Sequence, residues 1–388
     1  MLSIHSVQQV RKTVVVTAAL ATPLCHGDLV RRNSHSSIQL ICSYTYNQCD
    51  AAPQRLTWDV LIMPVLDSLY CPFIPKVHPE ASSVHERSVL WARSLGMLPT
   101  EKHVLAAHKL KAGWLAARAF PTATPRGLQL VADWTMLFRI LDGHIEKLGT
   151  ADEVAAYLQY LLGLFRGDIE DSLQEPLAAG IRDLRQRLVD LRPPGHFTHL
   201  ADRLEERFSG NVAEARNRER AQIPNFASYL PLCEITTGLH VMFSLAEFLE
   251  GFSLPDALRE HPNLQELATR ASNIVGWAND LFTYEKTIIR GEVHNLVLVL
   301  MNEHQLTVAD AVADAVALHD NEVHSFLGEV ERLPSFGVAA GSVRRHVEML
   351  RCWIRGHLDW AQETGCYQPF DDPDSEHNVR PAGQPATA

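Results

Sequence analysis

From Pro72 to Tyr367 apolar residues recur every three or four positions, the period of an amphipathic helix, and strand-like alternation is nearly absent. The period runs through "EKHVLAAHKLKAGWLAARAF", "LQLVADWTMLFRILDGHIEKLG", "HLADRLEERFSGNVAEARNRERA", "FASYLPLCEITTGLHVMFSLAEFLEG" and "NLQELATRASNIVGWANDLFTYEKTIIRG", and its breaks fall at Pro and Gly. The pattern predicts an all-α chain of roughly ten helices packed as one large bundle. Several segments are apolar on more than one face, as expected of helices that line an interior apolar cavity. Ser83 to Glu86 offers a capping start to the first of them.

The two ends read differently. Residues 1–70 scatter Ser, His, Thr, Gln and Cys without helical period, and the last stretch, "FDDPDSEHNVRPAGQPATA", is polar and Pro-rich. The expected organisation is a poorly ordered extension over 1–70, one helical domain over 71–368 and a disordered tail over 369–388.

Composition narrows the function classes. At 388 residues and 46% apolar content the chain can bury a sizeable core, and its net charge of -11 argues against a general nucleic-acid or anionic-membrane binder. An anionic substrate therefore needs bound cations or a local basic cluster. The seven cysteines are odd in number and widely spaced, with no C-x-x-C pair, which predicts reduced thiols in a cytoplasmic protein. The apolar run "TVVVTAALATPLC" falls short of the about 20 residues of a membrane span and ends in no clean signal-cleavage site.

Two stretches carry candidate chemistry. In "LFRILDGHIEK", Asp142 and Glu146 lie one turn apart, roughly 40° around a helix, so both carboxylates share a face. That spacing fits either an ordinary solvated turn or a pair neutralised by a divalent cation. In "NDLFTYEKTIIRGEVHNLV", Asn279, Thr283 and Thr287 fall at roughly 0°, 40° and 80°, with Lys286 at about -20°. Amide and hydroxyl oxygens suit Mg²⁺, and Lys286 on the same stripe is placed to meet a phosphate.

The second stretch resembles the second metal motif of microbial class I terpene synthases, in which Asn is followed four on by Ser or Thr and four further by Glu, with Lys just before that Glu and an Arg-Gly-Asp/Glu-x-x-Asn-Leu-Val continuation. "LFRILDGHIEK" resembles the family's aspartate-rich motif. "FIPKVHPEA", "IPNFASYLPLCEITTG" and "WIRGHLDWAQETGCY" extend the likeness over Pro72 to Tyr367. The resemblance implies a helical bundle enclosing an apolar cavity, with the two motifs facing each other at its mouth and up to three Mg²⁺ ions gripping the diphosphate of a linear prenyl substrate. Farnesyl diphosphate cyclised to a sesquiterpene is the implied reaction. Asp142, Glu146, Asn279, Thr283 and Thr287 are the implied metal-site residues, the first four of them catalytic, with Lys286 and Tyr367 on the diphosphate. Trp134, Phe138, Trp277 and Trp353 are candidates for the cavity wall, where an aromatic face can stabilise a carbocation. The implied assembly is a monomer or homodimer with no nucleic-acid partner and no membrane span.

The departures from the family pattern concentrate at the diphosphate end. Gly143 stands where the family has a second acid and Thr287 where it has Glu; Cys233 and Glu234 replace an arginine pair, and Cys366 replaces the arginine before Tyr367. Glu234 is expected to repel a diphosphate, and Arg216, Arg218 and Arg220 are expected on the solvated surface. A non-catalytic relative that binds an isoprenoid or a protein partner is the alternative reading; a prenyl chain-elongating transferase is disfavoured because the sequence shows no second acid-rich repeat to bind another substrate's metals.

Overall fold

The computed structural model describes residues 69–170, 175–191, 195–249 and 254–367; the expectations for the first 68 residues and for the tail lie outside them. Among the described residues there is no strand, and fourteen α-helices follow one another. They are α1 (Ala81–Ser94), α2 (Glu101–Leu110), α3 (Ala112–Ala119), α4 (Pro125–Ile145), α5 (Ala151–Arg166), α6 (Pro176–Leu191), α7 (Gly195–Glu219), α8 (Phe226–Thr236), α9 (Leu239–Leu249), α10 (Asp256–Arg259), α11 (Pro262–Arg290), α12 (Leu296–His304), α13 (Val308–Glu331) and α14 (Ala340–Glu363). The excess over ten comes from three segments that each split in two, together with the four-residue α10. The splits fall at left-handed residues, Lys111 (φ 53°), Gly238 (φ 73°) and Gln305 (φ 54°). Only the glycine announces itself in sequence, because the left-handed region is otherwise costly.

Helix starts follow side-chain capping. Thr100, Thr124, Asn225, Asn295 and Thr307 each accept a hydrogen bond from a first-turn backbone N–H, and Thr150 forms a full capping box with Glu153. The capping start expected at Ser83 is not used: α1 begins at Ala81, and Ser83 Oγ donates to the carbonyl of Glu80 instead.

α4, α7, α8, α9, α11 and α14 surround a cleft, Leu110 of α2 and Leu115 of α3 complete its wall, and α1, α5, α6, α12 and α13 back them through a continuous apolar core. The domain is packed from its first described residues. Leu69 is buried, and Tyr70 stacks on His324 of α13 at 4.6 Å. No helix among the described residues is long and apolar enough to cross a membrane.

Close helix contacts impose local demands. At Gly113 in α3 a Cβ would lie 2.4 Å from the backbone nitrogen of His85 in α1, so this approach tolerates no side chain. Gly113→Ala should lower unfolding free energy in urea by at least about 1–3 kcal/mol, the cost of overpacking. Gly341→Ala, at an exposed helical position where the nearest atom is 4.0 Å away, should leave it unchanged or raise it by up to about 1 kcal/mol.

Candidate active site

The cleft is a cavity of about 410 Å³, within the span of small-molecule sites. Asp142 and Glu146 reach it from the end of α4; Asn279, Thr283, Lys286 and Thr287 reach it from α11, and Tyr367 from the segment after α14. The two sequence stretches therefore meet across one space. Helical angle accounts for the α11 set, since all four side chains lie within a stripe about 100° wide.

Each predicted residue is held by identifiable partners. Asp142 Oδ1 accepts from Arg207 of α7 at 2.7 Å, and Glu146, a third exposed at the rim, lies 3.4 Å from Arg290. Burial raises the pKa of Glu146 above the ordinary carboxylate value, while Arg139 beside it works the other way. Asn279 Nδ2 donates to the Tyr367 hydroxyl at 2.8 Å, and the same hydroxyl lies 3.1 Å from His357 Nε2. Thr283 Oγ donates back to the Asn279 carbonyl at 2.8 Å, so toward a further ligand it acts as an acceptor. Lys286 Nζ donates to the Cys366 carbonyl at 2.7 Å; burial, then Arg139 and Arg290 nearby, pull its ammonium down to about 8.

Thr287 is more committed to the protein than the sequence suggested. Its hydroxyl donates to the Thr283 carbonyl at 3.0 Å and lies 3.4 Å from the Asn295 amide that faces it. Glu285, on the other side of α11, pairs with its neighbour Tyr284 and is absent from the cavity wall. Next to Asn279 in the chain, the part-buried Asp280 carboxylate accepts from the Tyr229 hydroxyl of α8 and from Leu296 N at the start of α12. Burial pushes its pKa up to about 7 against those hydrogen bonds. This side chain, at the cavity border beside Asn279, ties three helices together.

The aromatic expectations divide. Phe138 and Trp353 line the cavity; Trp134 and Trp277 do not. Trp277 lies about 160° around α11 from Asn279, on the opposite face. Trp134 lies about 100° from the cavity-lining Thr135 and packs into the core, edge-on to Phe165 at 5.6 Å. Sequence reasoning missed His357 and Trp360, which share the Trp353 face of α14 at positions four and seven further on. Burial holds the His357 imidazole neutral, with a pKa of about 3.

The electrostatics differ from the sequence expectation. Glu234 does not face the cavity: it accepts from His240 Nε2 at 3.0 Å and Thr269 Oγ at 2.7 Å, so no acid stands there to repel an anion. Only Cys233 of that pair lines the wall. Arg218, expected on the surface, lines the cavity and pairs with Glu292 at 3.3 Å. Among the described residues, five basic side chains (Arg139, Arg207, Arg218, Lys286 and Arg290) and five acids (Asp142, Glu146, Glu214, Asp280 and Glu292) border the same space.

The donor set fits a hard cation. Two carboxylates on one wall face an amide and a hydroxyl oxygen on the other, which matches the oxygen preference of Mg²⁺. Gly143 has no packing reason to be glycine, since a Cβ there would meet only Arg139 Nη1 at 3.6 Å.

Glu214 on α7 gives a pH-dependent prediction. Burial, partly offset by Thr236, drives its carboxyl up to about 7. Its folded pKa lies above the unfolded value, so the stability it contributes is fully present at acid pH and is lost as pH rises from about 4.5 to 7. Glu214→Gln should therefore raise the melting temperature at pH 8, with a gain that shrinks at pH 5; equal melting temperatures at pH 8 would refute that reading.

Comparison with known proteins agrees with this arrangement. The profile of the family described as terpene synthase family 2, C-terminal metal binding, matches residues 133–325, a stretch that contains both candidate metal motifs. A (+)-T-muurolol synthase, (2E,6E)-farnesyl diphosphate cyclizing, from Roseiflexus castenholzii is 30% identical over 305 residues, covering 78% of this chain and 93% of that protein. A germacrene A synthase from Nostoc punctiforme is 29% identical over 307 residues, with 78% and 95% coverage. Among solved structures, a cucumene synthase carrying one substitution superposes with a TM-score of 0.67 at 27% identity, covering 77% of this chain and 99% of that one. A Streptomyces clavuligerus linalool/nerolidol synthase, also at a TM-score of 0.67 but 22% identical, supports the fold alone. The chain belongs to the terpene synthase family.

Proposed function

We propose that this chain is a Mg²⁺-dependent class I terpene synthase that ionises a linear prenyl diphosphate and cyclises its hydrocarbon. One observation carries the proposal: the Asp142–Glu146 turn and the Asn279–Thr283–Lys286 stripe converge on one cavity whose wall also includes Phe138, Trp353 and Trp360. Farnesyl diphosphate is the proposed substrate, because the T-muurolol synthase relative is a farnesyl diphosphate cyclase. The free thiols of Cys71, Cys233, Cys352 and Cys366 fit a cytoplasmic setting.

In this reading Asp142, Glu146, Asn279 and Thr283 hold Mg²⁺, with up to three ions bound and Thr287 at most a weak contributor. The ions supply Lewis-acid stabilisation of charge on the departing diphosphate. Lys286, held by the Cys366 carbonyl, presents an ammonium to that oxygen cluster, and Arg139 and Arg290 add positive field from the same side. The Tyr367 hydroxyl, fixed between Asn279 and His357, is positioned to donate to a diphosphate oxygen. The allylic C–O bond breaks with its electron pair leaving on the diphosphate. The resulting cation is attacked by a double bond of its own chain and ends by losing a proton. Trp353 and Trp360 offer π-faces to that cation, Phe138 lines the wall with its ring against Arg207, and the apolar residues Leu110, Leu115, Leu239 and Met242 keep water from quenching it. His357, neutral and next to Tyr367, does not add a competing charge.

Purified full-length protein incubated with Mg²⁺ and geranyl, farnesyl or geranylgeranyl diphosphate should release pyrophosphate and a volatile hydrocarbon, with farnesyl diphosphate preferred. No release from any of the three, while another member of the family turns over alongside, would select the non-catalytic alternative. Asn279→Ala should lower turnover by about 100-fold or more, equivalent to about 2.7 kcal/mol or more of barrier. Glu285→Ala should stay within about twofold of wild type, because its side chain is outside the cavity. Gly143→Asp adds a carboxylate at an uncrowded position of α4 between the cavity-lining Asp142 and Glu146, and should reduce the Mg²⁺ concentration needed for half-maximal activity.

A further inference from the structure

Arg207 is the most enclosed basic side chain bordering the cavity, with 3% of its surface exposed, yet no sequence motif singles it out. Its socket is specific. One guanidinium nitrogen donates to the Thr236 carbonyl at the end of α8, and another donates to Asp142 Oδ1 at 2.7 Å. The guanidinium lies 4.3 Å from the centroid of the Phe138 ring, close enough for a cation–π contact. Two glycines create the space: a Cβ at Gly238 would lie 2.5 Å from the guanidinium, and one at Gly210 would lie 2.7 Å from Thr236. Arg207 Nε is buried without a hydrogen-bond partner among the described residues, as is the side-chain oxygen of Asn211 one turn further along α7. The site therefore holds a preorganised fork whose donors are not all used.

Among the described residues, its one carboxylate partner within salt-bridge distance is Asp142, itself assigned here to Mg²⁺. A carboxylate that gives its charge to a divalent cation attracts a guanidinium less strongly. The Thr236 carbonyl and the Phe138 ring would still hold Arg207 in place, with the donors formerly on Asp142 released. An anion arriving with the cation finds those donors ready, and diphosphate oxygens match a planar fork.

We propose that Arg207 is a further substrate-binding residue: paired with Asp142 as seen here, it transfers to a diphosphate oxygen when Mg²⁺ takes Asp142. The arginines missing at Cys233 and Cys366 are thus offset from α7. This inference rests on the terpene synthase reading, and binding measurements separate the two.

Calorimetry on the full chain, titrating MgCl₂ alone, inorganic pyrophosphate alone and pyrophosphate with saturating Mg²⁺, gives the test. Arg207→Gln should bind Mg²⁺ more tightly and Mg²⁺-pyrophosphate about tenfold or more weakly, opposite signs that a general loss of packing does not produce. Asp142→Asn should strengthen metal-free pyrophosphate binding about tenfold, and that gain should vanish in the Asp142→Asn/Arg207→Gln double variant. Arg216→Gln, an exposed arginine on the same helix, should match wild type. Should Arg207→Gln not fold, Arg207→Lys keeps the charge but not the fork, and a several-fold drop in Mg²⁺-pyrophosphate affinity is expected. Unchanged pyrophosphate affinity in the folded Arg207 variants, or an Asp142→Asn gain that survives in the double variant, overturns the role of Arg207 alone. Wild-type protein that binds no pyrophosphate even with Mg²⁺ overturns the terpene synthase reading and this inference with it.

Discussion

Among the described residues, five basic and five acidic side chains share the border of one small cavity, and charges so crowded and partly desolvated are costly unless they are paired or hydrogen-bonded. The pairings run between helices. Arg207 of α7 meets Asp142 of α4, Arg290 of α11 meets Glu146 beyond α4, and Arg218 of α7 meets Glu292 beyond α11. Lys286 closes the ring by bonding the Cys366 carbonyl after α14. The interactions that make the site ready for cations and an anion are therefore also those that tether the mouths of four helices. Ligand binding would exchange these pairs for metal and diphosphate contacts, so the same groups set both local stability and affinity.

One carboxylate on the border is fixed differently, by hydrogen bonds and not by an ion pair. Asp280 sits beside Asn279 but receives the Tyr229 hydroxyl and the Leu296 N–H. Asn295 then reaches back to the Asp280 carbonyl and the Thr287 hydroxyl. This dense polar junction orients the stripe on α11 while leaving its outer members, Asn279 and Thr283, at the cavity. It also explains why Thr287 is a weak ligand candidate, since its hydroxyl is already occupied by the junction.

How much was legible in the sequence depends on whether a feature is encoded along one helix or between two. Asn279, Thr283 and Lys286 were readable because helical angle alone places them together, and that angle also excludes Trp277, an exclusion the sequence reading failed to draw. The splits at Lys111 and Gln305 were not readable, because neither residue type advertises a left-handed backbone. Arg207 was hidden for another reason: in "HLADRLEERFSG" it looks like one charge on a solvated face, and its partner lies 65 residues away. Glu234 failed in the opposite direction. Its replacement of a cation suggested repulsion, but His240 and Thr269 turn the carboxylate away from the site.

The losses relative to the family pattern are physically unequal. Attraction between a cation and a diphosphate falls off gradually with distance, so a guanidinium supplied from a different helix can replace a missing one if it borders the same low-dielectric space. Arg139, Arg207, Arg218, Lys286 and Arg290 meet that condition despite Cys233 and Cys366. Metal coordination is less forgiving, because a ligand must put oxygen within a few tenths of an ångström of a fixed distance, and neither Gly143 nor the hydrogen-bonded Thr287 can be compensated by a remote acid. Glu285 illustrates the limit: it is two residues from Thr287, yet it faces Tyr284 and contributes nothing to the cavity. In this chain, then, the number and placement of oxygen ligands is the stricter demand on the site, while positive charge bordering the cavity comes from α4, α7 and α11.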